Sequence, residues 1–90
     1  MNKDDFIFAK MNPEFKDWYF TITGKTREEL TSKYMEQSLV CIERVIYSEI
    51  DDVILVQKLF PFNFRYDIVE NEELKSFVIS IINDMKKEES

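Results

Sequence analysis

Across residues 60–69 the chain alternates without a break. Phe60, Phe62, Phe64, Tyr66 and Ile68 fall on one parity, and Pro61, Asn63, Arg65, Asp67 and Val69 on the other. Successive side chains of an extended chain point to opposite faces, so this spacing predicts a strand with two unlike faces and requires a sheet to hold it. Pro61 cannot donate to a ladder and marks a turn or a strand edge. Two further extended segments are expected at residues 5–10 and 17–23, joined by a turn on Asn12, Pro13 and Glu14, with Trp18, Phe20 and Ile22 sharing a face. Residues 53–56 form a continuous β-branched and leucine run of the kind that is buried on both faces.

Helical spacing lies between and after these segments. Gly24 closes the second strand, and Thr26 with Glu29 three positions on makes a Thr-x-x-Glu capping box. The stripe Leu30, Tyr34, Met35, Leu39, Ile42, Val45 or Ile46, and Ile50 predicts one long helix of roughly 20 residues, ~30 Å, ended by Asp51 and Asp52. Asn71 caps a second helix. Glu72 and Glu73 fill its first turn, Lys86 and Lys87 sit at its far end, and Leu74, Phe77, Val78, Ile81, Ile82 and Met85 form its apolar stripe.

The expected fold is therefore α+β, a single domain over residues 1–90 with the order ββαββα: a four-stranded antiparallel sheet with two helices packed on one face. Residues 4–48 and 51–88 suggest a tandem ββα pseudo-repeat, since Asp4, Asp5, Phe6 and a strand leading to Pro13 match Asp51, Asp52, Val53 and a strand leading to Pro61, and Phe20 and Ile22 match Tyr66 and Ile68. One sheet face would be bare. Ten of the thirteen aromatic residues lie in the hairpin segments, more than one inner face takes, so some are expected near solvent or under a partner.

Several kinds of chemistry are excluded by what the chain lacks. It has no histidine and one cysteine, so the common catalytic triads, a Cys-His nucleophile and a closed zinc site are not available. One glycine rules out phosphate-binding and dinucleotide-binding loops. Cys41, between Val40 and Ile42, is expected to be a buried small hydrophobe. No cofactor, metal or catalytic residue is expected, and the chain is not expected to be an enzyme.

The net charge of −6 disfavours direct binding to nucleic acid or to an anionic membrane. The longest apolar runs fall far short of the ~20 residues of a membrane span, and Asp4 and Asp5 stand where an export signal would be basic and then apolar, so a cytoplasmic location is expected. The function expected is that of a small acidic interaction module, of the inhibitor, immunity-protein or antitoxin kind used by phages and mobile elements. A homodimer and a protein partner with a basic surface are expected. Candidate contact residues are the acids Glu49, Asp51, Asp52, Asp67 and Glu70, expected to gather with Glu72 and Glu73 at one end of the fold, and the aromatic residues Trp18, Tyr19, Phe62 and Phe64. The alternative is a nucleic-acid mimic whose acidic patch blocks a DNA- or RNA-binding enzyme.

Overall fold

The structure, a computed structural model, describes residues 1–35 and 40–89. After a short 3-10 turn, Lys3–Asp5, come β1 (Phe6–Asn12), β2 (Asp17–Ile22), α1 (Gly24–Tyr34), β3 (Cys41–Ser48), β4 (Val53–Leu59), β5 (Phe64–Val69) and α2 (Glu72–Glu89). The strands form a single antiparallel sheet in chain order, β1 and β5 at its edges. The α+β class holds, but the sheet has five strands instead of four.

The extra strand replaces the second half of the expected long helix. α1 stops at Tyr34, and Ile42, Val45 and Ile46 belong to β3; Leu39 lies outside the described residues. The cause is a β-bulge. Ile42 pairs with Lys58 and Arg44 with Gln57, which leaves Glu43 without an opposite residue. Ile42, Val45 and Tyr47 therefore share the inner face at spacings of three and two, and a bulged strand written this way imitates a helical stripe. β-branched side chains decide for the strand. Asp51 and Asp52 accordingly end no helix; they sit in the tight turn between β3 and β4, with Asp52 at φ 52°.

The Thr26–Glu29 capping box does not form either. α1 begins at Gly24, and the carboxylate of Asp5 accepts from the Thr26 amide at 3.2 Å, capping the helix from the preceding 3-10 turn. Gly24 is required twice over. Its φ is +62°, and a Cβ there would stand 2.6 Å from Oδ1 of Asp5. At α2 the expected cap is present, since Oδ1 of Asn71 accepts from the Leu74 amide at 3.0 Å.

Both helices meet one sheet face, where Phe6, Trp18, Phe20, Ile22, Ile42, Val45, Tyr47, Ile54, Val56 and Val69 pack with Leu30, Leu74, Val78 and Ile82. Full burial of each large apolar side chain contributes roughly 1.5–3 kcal/mol, so this face carries most of the stability. α2 lies across the strands. Lys75 and Lys86, close to three turns apart on one flank, reach the β3–β4 turn, whereas Phe77 and Asp84 on the other reach Phe6 and Lys3.

Register also locates the proposed pseudo-repeat in space. Phe6, paired with Ile22, points to the helices, whereas its counterpart Val53, paired with Ser48, lies on the outer face; Phe20 is buried inside, whereas its counterpart Tyr66 is exposed outside. Matched strand residues thus occupy opposite faces. Among the described residues, no helix is long and apolar enough to cross a membrane.

Candidate interaction surface

The face turned away from the helices is built from two cross-strand rows. Lys10, Tyr19, Ile46, Leu55 and Ile68 form one row from β1 to β5, and Ile7, Thr21, Arg44, Gln57 and Tyr66 form the next. This is where the aromatic parity of β5 goes. Phe64, Tyr66 and Ile68 are 57%, 50% and 62% exposed, whereas Val69, on the opposite parity, is buried under α2. The strongest alternation in the sequence therefore points its apolar side outward. Its polar side faces the helix layer, where Asp67 pairs with Lys58 at 2.7 Å.

The outer face is ordered by its own contacts. Nε2 of buried Gln57 donates to the Tyr66 hydroxyl at 2.6 Å, fixing that ring over β4. The Lys10 ammonium lies 5.1 Å from the centre of the Tyr19 ring, a cation–π approach. Ile46 is only 5% exposed although it belongs to this face, and it floors a shallow depression of about 360 Å³ lined by Asp17, Tyr19, Leu55 and Tyr66. At the β4–β5 turn Phe62 is 99% exposed. Lys10, Arg44 and Asp17 are the charged residues in these rows and the one beside them, so the surface departs from the acidity of the whole chain.

The acidic residues are arranged differently from expectation. Glu49, Asp51 and Asp52 share the β3–β4 turn, and Asp52, Glu70 and Glu72 line one open cavity of about 450 Å³ with Lys75. Asp67 stands apart on the helix side of β5. Three of these carboxylates are held by lysines. Oε1 of Glu49 accepts from Lys86 at 3.0 Å and from the Trp18 indole N–H at 2.9 Å; Asp52 accepts from Lys75 at 3.4 Å and from the Tyr47 hydroxyl at 2.7 Å; Asp67 takes Lys58. The Lys86 hydrogen bond, helped by that of Trp18, holds the Glu49 carboxyl below the usual carboxylate range. Tyr47 does the same for Asp52, with help from Lys75. Burial, followed by the bond to Asp52, pushes the Tyr47 phenol up to about 12. What looks in sequence like a free acidic patch is in good part a clasp that ties the turn to α2. Asp51 and Glu70 are exposed.

Trp18 is 7% exposed, packed against Phe8 with Lys86 over its ring, and so forms part of the core and not of an accessible surface. Tyr19 and Phe64 do lie on the outer face, and Phe62 at its rim. Cys41 is half-buried at the start of β3 instead of inside a helix, with Nη2 of Arg27 2.9 Å from its sulfur and 3.1 Å from Glu43. That bond to Cys41 is the main cause raising the Arg27 pKa above its ordinary value. Ile7, Leu55, Tyr66 and Ile68 complete the outer surface and were not among the candidates. The alternation of residues 60–69 contained the signal for two of them, lacking only the direction of the helices. Among the described residues, no three cysteine or carboxylate side chains come together in a way that would hold a metal ion.

No family model matches this chain, and neither a curated protein nor a solved structure is significantly similar to it.

Proposed function

We propose that the protein is a non-catalytic interaction module of the inhibitor, immunity or antitoxin kind, and that it engages a protein partner through the outer sheet face. The supporting observation is the orientation of β5, whose apolar side chains face outward while its charged side faces the helix layer. Large exposed apolar side chains adjoining across strands are what protein-binding surfaces require, and Tyr and Phe are enriched at interface centres. The ring of Tyr66, held by Gln57, is presented with little further ordering needed on binding.

The test is affinity capture from the source cell by the immobilised protein, run beside two variants. Y19S/L55T strips apolar area from the two central outer positions while keeping β-compatible residues, and D51K reverses an exposed acid. A specifically retained protein that is lost with Y19S/L55T and kept with D51K is the expected result. Retention that survives the outer-face change but fails with D51K would overturn this proposal in favour of an acidic contact.

A further inference from the structure

We infer that two copies of this chain associate edge to edge, β5 against β5 in antiparallel register centred on Tyr66, forming one ten-stranded sheet. The proposal stands apart from the protein partner described above, because it uses the strand edge and touches the outer face only along its β5 rim, leaving Tyr19, Ile46 and Leu55 open.

An edge strand offers unpaired amides and carbonyls, and proteins that remain monomeric guard such edges with bulges, lysines, prolines or covering segments. The two edges of this sheet differ in that respect. β1 carries a bulge at Ala9, where Phe8 pairs with Phe20 and Lys10 with Tyr19, and a lysine directly after it. β5 pairs with β4 residue for residue from Phe64 to Val69 with no bulge, and it holds neither lysine nor proline. Among the described residues, β4 is its only ladder partner.

The sequence of β5 is complementary to itself. Two copies related by a two-fold axis perpendicular to the sheet keep their helices on the same side, so residues of like face must pair and the axis must pass through a residue. Centred on Tyr66, Arg65 meets Asp67 of the second copy twice on the helix side, and Phe64 meets Ile68 of the second copy twice on the outer side. Centred on Arg65 or on Asp67, like charges would meet on the axis, which is unfavourable. Among the described residues no acid pairs with Arg65. Its guanidinium lies 5.5 Å from the centre of the Phe60 ring and it stands directly across from Lys58, another cation, while Asp67 is drawn to Lys58 and remains 39% exposed. The second copy supplies the missing carboxylate. On the outer face, Phe64, Tyr66 and Ile68 of both copies would merge into one strip, covering part of their exposed area. A contact of one strand edge is small by interface standards, so the dimer is expected to dissociate in the micromolar range.

The test is sedimentation equilibrium of the full chain from about 1 to 300 µM, with R65D and D67R measured alone and as an equimolar mixture. The wild type is expected to dimerise, and each variant, now facing like charges twice, to bind itself at least about tenfold more weakly. The mixture restores opposite charges at both positions and is expected to associate as a heterodimer. Circular dichroism checks folding, and should D67R fold poorly, R65D/D67R, which keeps an acid beside Lys58, takes its place and is expected to dimerise like the wild type. A monomer over the whole range, a dimer indifferent to either single change, or a failure of the mixture or the double variant to associate would overturn the proposal.

Discussion

The two faces of the sheet are made from the same strands and often from neighbouring residues, yet they serve opposite ends. On the inner face Phe20, Val45 and Val56 form a row with no exposure under the helices. One residue along each strand, Tyr19, Ile46, Leu55 and Ile68 form the outer row, in which Ile68 is left largely in water. A chain that needed only to fold could place polar side chains there at no loss of core. Exposed apolar side chains such as Ile68 add little to stability in the isolated chain, and under the proposed function they are the surface that a partner covers.

That contrast can be broken most severely from the inside. F20A removes a fully buried ring that touches both Phe6 and Phe8, and calorimetry or urea unfolding is expected to show a loss of ~3–5 kcal/mol. G24A comes next. The added Cβ meets the Asp5 carboxylate that caps α1, at a φ that alanine tolerates poorly, and about 2 kcal/mol should be lost by the same measurement.

A smaller effect tests the clasp between the β3–β4 turn and α2. Y47F removes the hydroxyl that donates to Asp52 and should cost ~1 kcal/mol at neutral pH. It should also change the alkaline limb of the stability profile. The Tyr47 phenol titrates near 12 in the fold and near its ordinary value of about 10 when unfolded, so its contribution is complete below pH ~10 and is lost as pH rises toward 12. Y47F should lack that loss. The Glu49 and Asp52 carboxyls, both held below their usual range, give the opposite limb: their contribution is complete above the ordinary carboxylate range and disappears as pH falls through their lowered values. The smallest expected change is I68T on the outer face, within about 0.5 kcal/mol of wild type in unfolding. A loss as large as that of F20A would mean that Ile68 belongs to the core.

These effects also show what the sequence could and could not convey. α2 was fully legible, because Asn71, Glu72, Glu73 and the Leu74, Val78, Ile82 stripe are local signals that agree with one another. β3 was not, because one bulged residue, Glu43, shifts a two-residue period into the spacing of a helix. The alternation of β5 was plain, but alternation says only that the faces differ; which of them meets the helices depends on elements far away in the chain. The acids misled for a similar reason. Glu49 reaches Lys86 and Asp52 reaches Lys75 across separations of 37 and 23 residues, so nothing local to the turn signals either partner.

The most direct measurement is hydroxyl-radical footprinting of the purified chain with residue-level mass spectrometry. Phe62 should be modified at a rate approaching that of a free side chain, Phe64 and Tyr66 at roughly half such a rate, and Trp18 and Phe20 should be strongly protected. Rapid labelling of Trp18 together with protection of Tyr66 would place β5 the other way round and contradict an outward-facing aromatic surface.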